Sequence, residues 1–467
     1  QLRRGPEGAW VASIFPSPHN AAEAFIVLDD HRRGDMTPYA YKVGEYGARW
    51  RSIVTDSITG YAASILQDPL DAELLFLGTE FGLFVSHDGG GSWTKWTAGV
   101  PTVRVADLAF QARENDLVLG THGRAAFVID DVSALRGLSS EDFEARFKLL
   151  DVSSAQQYRP AQTPSTRFTG NGEFRADNAA YGAAITFLAS GADLPHPDPE
   201  TERERLMSLN GDTADDAPPP MATVSVSTPS GDVVRTFKAP VVQGLNRVYW
   251  DLRRDGLRPL PPAEGPPDGA LPPGIEMQPG DFIARIAFDG QTHDRAFRVL
   301  ADPNVSVSET ERQANFDARI AVEALQARMN TALIRLLHAQ RDVASLDAMI
   351  ADQKTLIAPE DSSELEAVLE QSNAFGEELR RVEALFRTPP GTKGIVYSAD
   401  KVDSLIGRAE FYLTSTSAAP SPAAQKAAAR AEAALDAAID ALDQELGEPL
   451  ASLRDASQSV GVAFLDP

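Results

Sequence analysis

Short apolar runs broken by Gly, Asp, Asn and Pro dominate the first third of the chain. Leu74-Leu75-Phe76-Leu77-Gly78-Thr79 predicts a strand, Glu80-Phe81-Gly82 a turn, and Leu83-Phe84-Val85-Ser86 the returning strand. The same pattern flanks this unit, which covers about residues 57 to 98. Before it stand Trp10–Ile14, Glu23–Leu28 and Tyr39–Trp50; after it stand Val105–Phe110, Asp116–Thr121 and Ala126–Ile129. Three side-by-side repeats of antiparallel strands follow, the third cut short after Ile129. Between about 145 and 305 the alternation of short strands and turns continues without a predicted helix. From Ser308 the apolar period becomes helical.

The turn after Ser86 carries the strongest local signal. Ser86-His87-Asp88-Gly89-Gly90-Gly91-Ser92-Trp93 fits Ser-x-Asp-x-Gly-x-Ser/Thr-Trp, the Asp box that joins the two outer strands of a β-propeller blade. Asp88 is expected to bond backbone N–H groups two residues on. Gly89 to Gly91 are expected to supply left-handed positions, and Trp93 to bury its ring on the neighbouring strand. Val43, Glu45, Gly47 and Trp50 keep the same spacing in a degenerate first box. A blade takes roughly 40 to 50 residues and a ring typically 4 to 8 blades. The chain therefore holds about 2.5 blades and leaves open sheet edges. Gln1-Leu2-Arg3-Arg4-Gly5-Pro6 shows neither an initiator Met nor an apolar leader. We expect the chain to begin inside a larger protein, or a separate chain to supply the remaining blades.

Many segments together resemble large bacterial proteins with BNR/Asp-box repeats, sortilin-like propeller modules and a C-terminal tail, a family often labelled "glycosyl hydrolase" by resemblance alone. The residues that carry this likeness include Ser17-Pro18-His19, Pro38-Tyr39-Ala40-Tyr41-Lys42, Gln67-Asp68-Pro69, Leu77–Gly82 and Gly120-Thr121-His122-Gly123-Arg124. Ile129-Asp130-Asp131, Tyr181-Gly182-Ala183, Gly244–Arg253, Pro279-Gly280-Asp281-Phe282 and Ala301-Asp302-Pro303 extend it. The likeness implies the C-terminal half of a protein about twice this size, exported to the periplasm, cell surface or medium. The first box, Ala125-Ala126 where an aromatic is usual, and the stretch near 190–220 depart from the family pattern.

The middle region reads as a β-sandwich of immunoglobulin or fibronectin type, with Trp250 as its core aromatic. The Pro-rich run Pro259 to Pro273 is expected as a loop, and the acidic stretch 191–220 as a mobile insertion. Four helices are expected over about 308–356, 360–387, 399–416 and 421–447, the last Ala-rich, forming a bundle or tail. The expected fold class is thus mostly β with an α tail. A partial propeller covers residues 1–138, a sandwich with its insertion 139–305, and a helical bundle 306–467.

The formal net charge of −24 removes nucleic acid and anionic membrane surfaces from the expected partners. Zero cysteines exclude disulfides, thiolate metal sites and thiol catalysis. The seven histidines, His19, His31, His87, His122, His196, His293 and His338, form no metal-binding spacing. His122 beside Gly123 and Arg124 reads first as a turn histidine and second as a channel-facing polar group; Asp130-Asp131 reads as a turn or cap before it reads as a cation site. Glycoside hydrolysis needs paired carboxyls, and a sialidase likeness would add an arginine cluster and a Tyr–Glu pair. Arg49, Arg104, Arg124, Glu45, Glu80 and Tyr46 are available, but no spacing links them. No catalytic, cofactor-binding or metal-binding residue is therefore assigned. The expected function is a non-catalytic exported module for protein binding or assembly, whose partners include the missing N-terminal blades. The alternative is a sialidase-like glycoside hydrolase with its active site mainly in those blades.

Overall fold

A computed structural model of the chain describes residues 5–159, 178–208, 219–260, 270–356, 362–394 and 397–462. It combines antiparallel sheets with a C-terminal helical region and divides into two compact units. One unit comprises Gln1–Arg253 with Pro279–Leu300, the other Arg254–Gln278 with Ala301–Pro467.

The first unit opens with three meanders. The first meander is β1 (Trp10–Pro16), β2 (Ala24–Asp30), β3 (Asp35–Gly44) and β4 (Arg49–Ser52), paired in that order. The second is β5 (Ala62–Gln67), β6 (Leu75–Thr79), β7 (Gly82–Ser86) and β8 (Thr94–Trp96). The third has three strands, β9 (Val105–Gln111), β10 (Asp116–Thr121) and β11 (Ala126–Ile129). Neighbouring strands run antiparallel throughout. Strand direction therefore alternates, and each meander has two distinct ends. The β2–β3, β6–β7 and β10–β11 connections share one end with the segments that enter β5 and β9. The β3–β4 and β7–β8 turns occupy the other.

Apolar alternation explains how the meanders stack. Successive side chains on a strand point to opposite faces, so β6 sends Leu75 and Leu77 to one side and Phe76 to the other, where Leu74 just before the strand joins it. The first set meets Phe25, Val27 and Ala40 of the first meander. The second set meets Val105, Leu117 and Leu119 of the third. The fit of second to third is close: a β-carbon on Gly78 would lie 2.6 Å from the Val105 carbonyl oxygen, a distance only glycine avoids.

After Ile129 the chain forms α1 (Ser140–Glu144) and β12 (Phe147–Leu149), β13 (Ala155–Gln156) and β14 (Ala183–Ala189). Helix α2 (Pro199–Ser208) precedes β15 (Met221–Ser227), β16 (Val233–Pro240) and β17 (Gly244–Trp250). A short pair, β18 (Arg253–Asp255) and β19 (Pro273–Glu276), comes before β20 (Gly280–Phe288) and β21 (Gln291–Leu300). Strands β12-β14-β17 make one sheet and β13-β21-β20-β15-β16 another. Aromatic rings of the two sheets meet at steep angles: Trp250, fully buried, lies 5.0 Å from Phe282 and 5.9 Å from Phe297, with planes 59° and 83° apart, and Phe147 contacts Phe288 of the other sheet and Phe187 of its own. Leu138, Leu150 and Leu188 share a core with Leu66 and Leu117, so apolar packing runs without a break from the meanders into these sheets.

Helix α2 departs from the helix-free reading of 145–305. Pro199 begins it, as proline can at a first helical turn, and Glu202 pairs with Arg205 one turn on. The part of the expected insertion at 209–218 lies outside the described residues, as do residues 261–269 of the Pro-rich run.

In the second unit the helices are α3 (Glu309–Lys354), α4 (Ser363–Phe386), α5 (Val402–Thr414), α6 (Pro422–Glu445) and α7 (Glu448–Ser459). The first four match the expected helices to within a few residues; α7 was not expected. Ser308 and Glu311 cap α3 reciprocally, the Glu311 carboxylate taking the Ser308 N–H at 3.0 Å. Leu325, Leu333 and Leu336 pack with Leu405, Ile406 and Ala409 of α5 and with Ala431, Leu435 and Ala438 of α6. The Asn315 amide, buried, donates to the carbonyls of Leu413 (3.1 Å), Thr416 (3.3 Å) and Ala418 (3.0 Å), where α5 ends.

Candidate functional site

The two ends of the meanders divide structural and chemical groups between them. At the β7–β8 end, Asp88 organises its turn. Its Oδ1 accepts from the backbone N–H of Gly91 at 2.9 Å and Ser92 at 2.8 Å, and from the Ser86 hydroxyl at 2.8 Å; its Oδ2 accepts from the Ser92 hydroxyl at 2.7 Å. The backbone partners are three and four residues on, one and two residues further than an Asx turn reaches. Partial burial works to raise the Asp88 pKa, but these hydrogen bonds outweigh it and hold the carboxyl below its ordinary range. Only Gly89 (φ 64°) and Gly90 (φ 86°) take left-handed conformations. Gly91 is small for another reason: a β-carbon there would lie 2.9 Å from the Asp88 carboxylate.

Trp93 reaches beyond its own sheet. Its indole Nε1 donates to the Ile53 carbonyl at 2.7 Å, in the segment leaving the first meander, and its ring is buried among Phe25, Ile53 and Phe84. The box is thus a clamp between consecutive sheets. Glu45 and Tyr46 lie in the corresponding β3–β4 turn and Arg49 opens β4, with Arg49 and Glu45 4.0 Å apart and both exposed.

The opposite end gathers polar groups from all three meanders. The ring of Tyr61, at the mouth of β5, stacks on His31 with centroids 4.3 Å apart and planes 10° from parallel. Asp29 fixes that imidazole, its Oδ1 lying 2.6 Å from Nδ1. From the third meander the Arg104 guanidinium lies 5.3 Å from the Tyr61 ring centroid, within cation–π range. Arg104 Nε is buried and has no acceptor among the described residues. Glu80, in the β6–β7 turn, stands over Gly60: a β-carbon on Gly60 would lie 3.1 Å from its Oε2. Burial pushes the Tyr61 hydroxyl up; the Arg104 charge opposes this, and the charges of Glu80 and Asp29 add to it. Tyr61 therefore stays protonated at neutral pH.

The structure thus brings Arg104 and Glu80 to one end with His31 and Tyr61, while Arg49, Glu45 and Tyr46 sit at the other. His122 and Arg124 are exposed in the β10–β11 turn, at the Tyr61 end. The His122 N–H bonds the Arg104 carbonyl at 2.9 Å, and Gly123 takes φ 90° beside it. Asp131 caps the short turn over Val132–Leu135, accepting from Ser133 N at 3.1 Å, and the Arg247 side chain donates to the Asp130 and Asp131 carbonyls.

The remaining histidines have local partners or surroundings. His19 bonds the Asp68 carbonyl, His196 accepts from Asp198 N, His293 packs on Phe147, His87 packs on Phe143, and His338 is exposed on α3. Among the described residues no three or more His, Asp or Glu side chains gather as a metal site, and no helix is long and apolar enough to cross a membrane. Sequence reasoning missed Tyr61 and Asp29. The only local sign was Gly60 before an apolar strand, because the residues Tyr61 meets belong to different repeats. No protein-family model matches the chain, and no curated protein matches it.

Proposed function

We propose that the chain is a non-catalytic binding and assembly module, an exported protein part whose three meanders are blades of a β-propeller. In this reading the paired sheets behind them form an immunoglobulin-like sandwich that serves as a spacer, and the acidic helices form a contact tail. The observation that carries it is the Trp93 clamp, which builds sheet-to-sheet docking into the repeat itself through a buried ring and a 2.7 Å bond to Ile53. A module made by stacking such sheets uses its faces to join further sheets and its loop end to meet a ligand. Native mass measurement of the protein from its own cells tests this: a stable complex with a second polypeptide is expected, and a lone monomer would overturn it.

A second reading, a sialidase-like glycoside hydrolase, draws on Tyr61, Glu80 and Arg104 meeting at one end. It is the weaker one because burial raises the Tyr61 hydroxyl, opposite to what a phenolate nucleophile requires. Release of aryl alcohol from an aryl sialoside by the native complex, lost in Tyr61→Phe, would establish it.

A further inference from the structure

Two opposite charges flank Tyr61, and no described residue neutralises either. His31 stacks on the Tyr61 ring, and the Arg104 guanidinium lies over that ring at 5.3 Å. Asp29 is already engaged, its two carboxylate oxygens 2.6 and 2.8 Å from His31 Nδ1. Arg104 and Glu80 are not. Among the described residues nothing accepts from the Arg104 guanidinium, whose Nε is buried, and nothing donates to the Glu80 carboxylate. Nor do the two pair with each other, although both charges act on the Tyr61 hydroxyl. Local structure ties both residues down. The Glu80 N–H bonds the Tyr61 carbonyl at 3.0 Å, and the Glu80 side chain lies against Gly60, where a β-carbon would come 2.8 Å from that of Glu80. The Arg104 carbonyl takes the His122 N–H. The third meander thus supplies the cation and the second the carboxylate.

A half-buried guanidinium without an acceptor favours an anion, because a desolvated charged donor gains most from a charged partner. Yet a plain anion drawn to Arg104 would be repelled by Glu80, and a plain cation drawn to Glu80 would be repelled by Arg104. A molecule carrying both charges satisfies each side and meets neither repulsion. We propose that this end of the meanders binds a small zwitterion of the free amino acid kind. The terminal nitrogens of Arg104 take its carboxylate, which their planar fork matches with two parallel bonds. Glu80 takes its ammonium. Tyr61 braces the guanidinium through its ring and, staying neutral, adds no third charge to the site. The proposal names a ligand class for the loop end of the binding module, and so rests on the binding half of the reading above.

Titration calorimetry on the full chain at neutral pH tests this. The probes are glycine, β-alanine and γ-aminobutyrate, which differ in the distance between their charges, with acetate and methylammonium as single-charge controls. At least one zwitterion is expected to bind about tenfold tighter than either control. Glu80→Gln, an isosteric change in a turn, should bring that zwitterion down to the affinity of acetate, while acetate itself binds as well or better. A variant that merely misfolds would lose both. Arg104→Gln, with unchanged tryptophan emission as the check on folding, should abolish binding of zwitterion and acetate alike. Acetate binding as tightly as every zwitterion would overturn the proposal, as would a zwitterion preference that survives Glu80→Gln. So would the absence of binding with all of these probes; a stable complex by native mass would then leave the assembly reading standing. A lone monomer that binds a zwitterion in the expected manner would instead remove the assembly reading and keep this site.

Discussion

Replacing Trp93 separates the two parts of the clamp. Trp93→Phe keeps a ring but removes the indole N–H, leaving the Ile53 carbonyl without its donor in a buried setting. An unsatisfied buried polar group costs about 1–3 kcal/mol, and the lost ring atoms add roughly 1 kcal/mol. Trp93→Ala removes nearly all of a side chain that is only 5% exposed, which costs about 3–5 kcal/mol by the usual range for aromatic deletions in a core. Trp50→Ala is the internal control: half-buried and bonded only within its own turn, it is expected to cost less than about 1.5 kcal/mol in the isolated chain. All five tryptophans lie in the unit that holds the sheets, so urea unfolding followed by tryptophan fluorescence reports on that unit alone. The order Trp93→Ala, then Trp93→Phe, then Trp50→Ala is the prediction. Equal losses for Trp50→Ala and Trp93→Ala, or a Trp93→Phe loss under about 0.5 kcal/mol, would refute the clamp.

Arg136→Met should destabilise the same unit by about 3–5 kcal/mol, since it strips the 2.9 Å partner from the fully buried Asp68; urea unfolding measures it. Asn315→Asp exchanges a donor for a carboxylate facing three carbonyl oxygens, and should cost about 3 kcal/mol or more in the helical unit, read by loss of helical circular dichroism in urea. Burial pushes the His87 imidazole below its ordinary 6.5, against the Leu135 backbone bond and the charges of Asp71, Asp88 and Asp142. The unfolded chain then binds the extra proton first, so stability is complete above the ordinary value and falls as pH drops towards the folded one. Denaturation at about pH 7.5 and about pH 5.5 should show this loss, and His87→Phe should reduce it.

Legibility in the sequence followed the range of the interactions. The Asp box, the meander strands and helices α3 to α6 depend on residues a few positions apart, and their pattern was visible. Helix α7 lies beyond the last expected helix, about 421–447; Pro449 in the first turn after Gly447 is the sign of a new start. Helix α2 carries alternating charges and little apolar periodicity, so its composition read as an unstructured insertion. The Tyr61 cluster assembles His31, Glu80 and Arg104 from three meanders, and no spacing encodes it.

The alternation of strand direction also has a consequence for variation. The clamp residues Asp88, Gly90 and Trp93 sit where any change disturbs the joint between sheets, whereas the turns after β2, β6 and β10 meet one another mainly through side-chain rings and charges. New loop sequences, longer or differently charged, can therefore be accepted at the Tyr61 end while the joints stay fixed. Such a scaffold can change the chemistry of one end without having to solve its folding problem again.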